Sequence, residues 1–397
     1  MRRTGRQAAR GTRDARYDTP MHPAVALATA LIALAPPSGR PPVGPLQRVE
    51  PRVYDFTFDV TVTTAWQYDL SLQRSYNLLD APIVMPVIFQ GTYSMVAADS
   101  LRARLWLGGR EDTTLATRLD GGYPFYTQLA VIPIKSFSGK SLRWQLGYRV
   151  QAWSSRLTDE AAAASVPWPR TWPAEVLDGL QPQMFIESDD PVFAETVERV
   201  SKGQLRLVSP YLAAKDLVRY CINEIRVSGN GVNRGNLGVL RGLKVTGARQ
   251  TATTGLGGPH DLVCICVAML RAAGIPARPV IGVKIAKRNR GGGLPEFASW
   301  AEFYLPDVGW IPFDPIVMRG KGLRNLDVHK PWAQFGTMKN LNRRIPLAYH
   351  FIPPASVETP QNAAVWGWDP RPGGDPSSEQ IIKFEVTSRG RGVEDPG

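Results

Sequence analysis

Residues 259–278 read Pro259-His260-Asp261-Leu262-Val263-Cys264-Ile265-Cys266-Val267-Ala268-Met269-Leu270-Arg271-Ala272-Ala273-Gly274-Ile275-Pro276-Ala277-Arg278. Proline suits the first turn of a helix, where the missing N–H would have had no helical partner, and glycine marks the end of one, so the punctuation predicts a helix from about Pro259 to Gly274. From Leu262 to Leu270 that helix is apolar on every side, and such a helix has to be surrounded by protein. Extended segments follow at Pro279–Val283, Trp300–Leu305 and Gly309–Phe313. Two helices precede it: Ser188-Asp189-Asp190-Pro191 caps one that runs to Gly203, and Ser209-Pro210 caps another whose apolar stripe is Ala214, Val218, Cys221, Ile222 and Ile225. Helices followed by strands, with one helix buried, predict an α+β core in which that helix packs against an antiparallel sheet.

Upstream the period changes from helical to alternating. Tyr54, Phe56, Phe58, Val60 and Val62 alternate with Asp55, Thr57, Asp59 and Thr61, and the same pattern recurs at Leu142, Trp144, Leu146, Tyr148, Val150 and Ala152. It is weaker at Leu101, Ala103, Leu105 and Leu107. Half-buried strands of this kind predict an all-β sandwich over 51–155. A Trp/Pro-rich passage, Pro167-Trp168-Pro169 through Trp172-Pro173, reads as a linker over 156–187, before the core at 188–316. Residues 317–372 read as an extension packing on the core, and 373–397 as a flexible tail with a possible last strand, Ile381–Val386.

Residues 1–50 form a basic leader, a signal-like apolar segment and a Pro-rich spacer. Of the net charge of +12, the first twenty residues supply six Arg against two Asp. The continuous apolar stretch Ala24–Ala35 is too short to span a membrane and fits the hydrophobic region of a secretory signal, cleaved or kept as an anchor; a buried core helix is the competing reading. The expected location is therefore secreted, periplasmic or cell-envelope. With 43% hydrophobic and 21% charged residues, disorder is excluded as the main state of the 397-residue chain. The remaining basic bias is modest and lacks basic runs interleaved with aromatics, which argues against nucleic acid and leaves attraction to an anionic membrane or cell-wall surface. Three cysteines, Cys221, Cys264 and Cys266, form neither a disulfide framework nor zinc-site spacing. No acidic loop has calcium-site spacing, and no metal or cofactor is expected.

Three blocks bring a resemblance. Leu270–Arg278 is similar to the "LRAAGIPAR" signature of transglutaminase-like proteins, Ser299-Trp300-Ala301-Glu302-Phe303-Tyr304-Leu305 resembles their "HAWAExYL" strand, and Gly309-Trp310-Ile311-Pro312-Phe313-Asp314-Pro315 resembles "GWxPxDP". The resemblance implies a papain-like transglutaminase core, with a β-sandwich in front as in some bacterial members. It also implies a Cys on the helix, a His on one strand and an Asp on the next, because thiolate chemistry needs a stabilised sulfur, a proton carrier and a group to orient that carrier.

Carried across by position, the catalytic set is mostly gone. The family Cys, twelve residues before the signature Arg271, falls on Pro259, and the family His falls on Ser299. Proline offers neither a thiol nor a backbone N–H for an oxyanion hole. Asp314 alone matches its catalytic position, and an Asp before Pro also bonds its own turn. A relocated pair, His260 with Cys264 one helical turn on, is the alternative catalytic reading, although burial inside an apolar helix raises a thiol pKa. His260, beside Asp261 at the helix start, is expected to be exposed or cap-bonded; His329 and His350 lie beyond the core. His260, Asp261, Trp300 and Glu302 are the candidate cleft residues. The leading expectation is a secreted or envelope-associated pseudoenzyme that binds a protein or peptide through the degenerate substrate cleft or the β-sandwich, set against an active cysteine hydrolase or acyltransferase and against a purely structural envelope protein.

Overall fold

The structure, a computed structural model, describes residues 44–64, 75–286, 294–320, 326–352, 363–368 and 378–393. The basic leader, the apolar segment Ala24–Ala35 and His22 lie outside the described residues. Among those described, no helix is long and apolar enough to cross a membrane.

Along the chain a β-rich region supplies β1 (Leu46–Thr64), β2 (Ser94–Leu107) and β3 (Ser141–Leu157). Two helices follow, α1 (Pro191–Ser201) and α2 (Pro210–Glu224), then a hairpin of β4 (Val232–Arg234) and β5 (Leu240–Leu243), and the central helix α3 (Pro259–Ala272). The antiparallel strands β6 (Ala277–Lys284), β7 (Glu296–Leu305), β8 (Gly309–Phe313) and β9 (Arg344–Ala348) come next, and β10 (Ser378–Arg391) is last.

The alternation in β1 reflects two environments. Its apolar set, Tyr54 to Val62, is buried, and β1 pairs with β3 so that Phe58 lies opposite Leu146 and Val60 opposite Trp144. A second sheet, built from Ile83–Val87, Thr127–Ile132, Arg118–Tyr123 and Gly367–Trp368, shares its buried cluster with these residues. On the other side of β1 lies β10, with Phe384 opposite Phe58 and Val386 opposite Phe56. β10 in turn meets β5 at Leu240–Ile382. The segment read as a flexible tail with a possible last strand thus holds a fourteen-residue strand inside the sheet, joining β1 to the β4–β5 hairpin.

In the core, α3 is buried from His260 to Arg271 and packs against α1, α2, β6 and β7. Burying each of its large aliphatic side chains is worth about 1.5–3 kcal/mol. Its end is set by Gly274 at φ 75°, which lets Gly274 N bond Arg271 O (2.8 Å) and Ile275 N bond Leu270 O (2.9 Å). Those two bonds answer carbonyls that the helix itself leaves open, and a left-handed glycine forms them without a Cβ penalty. The sheet order is β8-β7-β6-β9. Successive residues of β7 point to opposite faces: Ala301 and Phe303 join the cluster around α3, whereas Trp300 joins Tyr93, Phe125 and Tyr349 on the side of the β-rich region. Mixed α and β structure, with a helix buried on an antiparallel sheet beside a β-rich region, is the α+β class read from the chain.

Candidate functional site

The start of α3 carries Gly258, Pro259, His260 and Asp261 in its first turn. Asp261 is consumed by the backbone: Oδ2 accepts from Gly258 N (2.7 Å), and Oδ1 from Thr246 N (2.7 Å) and Gly247 N (3.0 Å). It closes the helix N-terminus and ties down the strand-to-helix connection, so the cleft role expected for Asp261 does not fit its surroundings.

His260 is 2% exposed and Ser299 1%. Their side chains are hydrogen-bonded, Nδ1 to Oγ, at 2.7 Å. The residue next to the family's nucleophile position therefore reaches across to the family's histidine position. The exposure expected of His260 at a helix tip fails because Gly231, at φ 75°, lays its backbone over the ring; a Cβ there would stand 2.7 Å from Cδ2. Burial lowers the imidazole pKa to about 4, against the opposite pull of Asp261, so the ring is neutral at neutral pH. The bond thus joins a neutral ring to a hydroxyl that solvent does not reach.

Asp314 directly follows β8 and is 2% exposed. Its Oδ1 accepts from Val317 N (2.9 Å), the local turn bond read from the Asp-Pro pair, while Oδ2 accepts from Arg344 Nη2 on β9. Both side chains of this ion pair are buried. An arginine thus stands where the family's histidine would be oriented, and its fixed charge cannot relay a proton. Nothing in the stretch around Arg344 signals this role in the sequence.

The structure does not bring Cys264 and His260 together as a catalytic pair. Cys264 is fully buried, and burial pushes its thiol well above the ordinary range, with Asp261 and Glu187 acting in the same direction. His329 is exposed, its backbone N bonded to Asp327 Oδ1 (2.9 Å). His350 is buried beside the rings of Tyr123 and Phe125, and burial lowers its pKa to about 3. Neither is hydrogen-bonded to Ser299 or Asp314 among the described residues.

Trp300 and Glu302, expected in the cleft, lie on the opposite face of β7 from Ser299. Glu302 Oε2 accepts from Arg278 Nη2 (2.8 Å), Arg278 Nε (3.0 Å) and Thr92 Oγ1 (3.2 Å). The Arg278 guanidinium is sandwiched between Trp310 (4.0 Å) and Tyr349 (3.9 Å) and also donates to Thr92 Oγ1 (2.9 Å). The Arg of "PAR" and the Glu of "WAE" therefore form a buried fastening between the core sheet and the β-rich region. No cluster of metal-ligating side chains occurs among the described residues. An open groove of about 580 Å³ lies between α1 and α2, lined by Arg199, Lys202, Leu205, Asp216, Tyr220 and Glu224 among others; none of the catalytic positions borders it.

Residues 199–315 match the family described as the transglutaminase-like superfamily. Among solved structures, the chain is similar to a protein of Cytophaga hutchinsonii provisionally described as a cysteine protease, with 13% identity and a TM-score of 0.52, covering 89% of this chain and 97% of that one. It is also matched to the periplasmic domain of TgpA from Pseudomonas aeruginosa, with 17% identity and a TM-score of 0.31, covering 70% of this chain and 95% of that one. No curated protein matches.

Proposed function

We propose, from the premise that residues 199–315 are a domain of the transglutaminase-like superfamily, that this protein performs no thiol acyl transfer and works as a binding protein on an enzyme's fold. One observation carries the reading: the nucleophile and proton-carrier positions hold Pro259 and Ser299, and the residues nearest them are tied to one another inside the fold. His260 bonds Ser299, Asp314 bonds Arg344, and Asp261 caps α3. Loss of a catalytic nucleophile and its base costs several orders of magnitude in rate. Binding needs only shape and polar partners, and a groove of about 580 Å³ is within the range of ligand sites.

The ligand class we propose is a protein or peptide, bound in the α1–α2 groove rather than over the buried catalytic positions. We place the protein in the secreted or envelope fraction on the strength of the apolar segment Ala24–Ala35 behind a basic leader. The test is to incubate the purified chain with a glutamine-containing acceptor peptide and a labelled amine, and in parallel with a fluorophosphonate probe. No turnover and no labelling are expected. Turnover abolished by Cys264→Ala, or labelling abolished by Ser299→Ala, would overturn the proposal. Cross-linking to envelope proteins, weakened by Lys202→Glu in the groove, is the positive result expected.

A further inference from the structure

Where the turn before β2 meets β7 and β9, Thr92, Ser94, Trp300, Glu302, Arg344 and Tyr349 line a small cavity. About 10 Å³ of it is open to the centre of a water molecule, which is room for one small occupant. Three side-chain groups in its wall are buried and have no hydrogen-bond partner among the described residues: Ser94 Oγ, Trp300 Nε1 and Arg344 Nη1. The three residues are 2%, 2% and 6% exposed. An indole N–H and a guanidinium N–H can only donate, and a hydroxyl can donate as well. Leaving such groups unanswered is costly, because each has given up its water partner on burial.

Of the acceptors in the wall, Glu302 Oε2 is held by Arg278 and Thr92, and the backbone carbonyls of Gly91 and Thr92 are taken by Arg48. Two of the unanswered groups can only donate, one of them on a cation whose other nitrogen holds Asp314, and the Ser94 hydroxyl can donate or accept. A water molecule brings two hydrogens for which the unanswered set offers one acceptor, Ser94 Oγ, whereas an anion takes all three donors and brings none. The cavity is too small for a phosphate, sulfate or carboxylate. We propose that it is a binding site for a monoatomic anion of the chloride class, held by Arg344, Trp300 and Ser94. Bound there, the ion links the β-rich region to the core sheet and fixes the guanidinium that occupies Asp314.

The test uses the full chain. Its melting temperature is measured against chloride or bromide, with sulfate at matched ionic strength as the control, and crystals grown in bromide are examined by anomalous scattering. A saturable rise with either halide and not with sulfate is expected, together with an anomalous peak in hydrogen-bonding reach of Arg344 Nη1 and Trp300 Nε1. Ser94→Ala, which removes one donor and leaves the buried ion pair intact, should raise the halide Kd about tenfold. Equal response to all salts, a Kd unchanged in Ser94→Ala, or a water molecule at that position in bromide-grown crystals would each overturn the assignment.

Discussion

Mild acid should weaken this protein through two imidazoles. His260 and His350 are buried, and burial lowers their pKa values to about 4 and about 3. In the unfolded chain both return to about 6.5. Between the folded and unfolded values the unfolded state binds more protons than the folded one, so stability falls as pH falls, starting near the unfolded value. At about pH 5 an unfolded imidazole is protonated roughly thirty to one while the folded rings carry almost no proton, which makes the loss about 2 kcal/mol for each histidine. Going from about pH 7.5 to about pH 5 should therefore remove about 4 kcal/mol, a large part of the 5–15 kcal/mol typical of folded domains. Stopping near pH 5 keeps most carboxylates out of the measurement. The assay is urea unfolding of the wild type and His350→Phe at both pH values. Phenylalanine suits a site beside Tyr123 and Phe125 and removes the partnerless Nδ1 of His350, so stability near neutral pH should hold or rise slightly. The acid loss should halve to about 2 kcal/mol. If His350→Phe loses as much as the wild type over that interval, the reasoning is wrong.

Other perturbations probe the substituted catalytic positions. Arg344→Met leaves the Asp314 carboxylate buried without its counter-charge and should cost about 3–5 kcal/mol in denaturant unfolding, most of it recovered by adding Asp314→Asn. Arg278→Lys gives up the stacking between Trp310 and Tyr349 and the paired bonds to Glu302, and should lower stability by about 1–3 kcal/mol. Gly231→Ala forces a left-handed backbone on a residue whose Cβ would collide with His260; a loss of about 1–3 kcal/mol by thermal unfolding is expected. Restoring the family residues by Pro259→Cys with Ser299→His should leave amine incorporation at background, because Asp314 stays bound to Arg344; incorporation that appears without any change at Arg344 would contradict this.

The parts of the fold that could be read from the chain are those with local causes. The helix at 259–272 announces itself by an apolar run between a proline and a glycine, and the strands of the β-rich region by alternation that later meets buried neighbours on one face. What could not be read depends on partners far away in sequence. His260 looks accessible as part of a helix tip, and residues distant in sequence, Gly231, Ser299 and Phe351, cover it. Arg344 sits in no motif, yet it decides what Asp314 does. Ser299 and Trp300 share one sequence block, yet strand geometry sends adjacent residues to opposite faces, and that rule alone separates Glu302 and Trp300 from the catalytic side. The substitutions at Pro259 and Ser299 are visible through the family resemblance, but the bond that fills their place is not, since it needs the fold to bring residues 260 and 299 together.

The position of β10 bears on how the molecule is made. A sheet that begins with β1 and is finished only by residues 378–391 cannot close while the ribosome is still adding the intervening chain. Until that strand emerges, β1 lacks its neighbour on one edge, and Phe56 and Phe58 lack the stacked ring of Phe384.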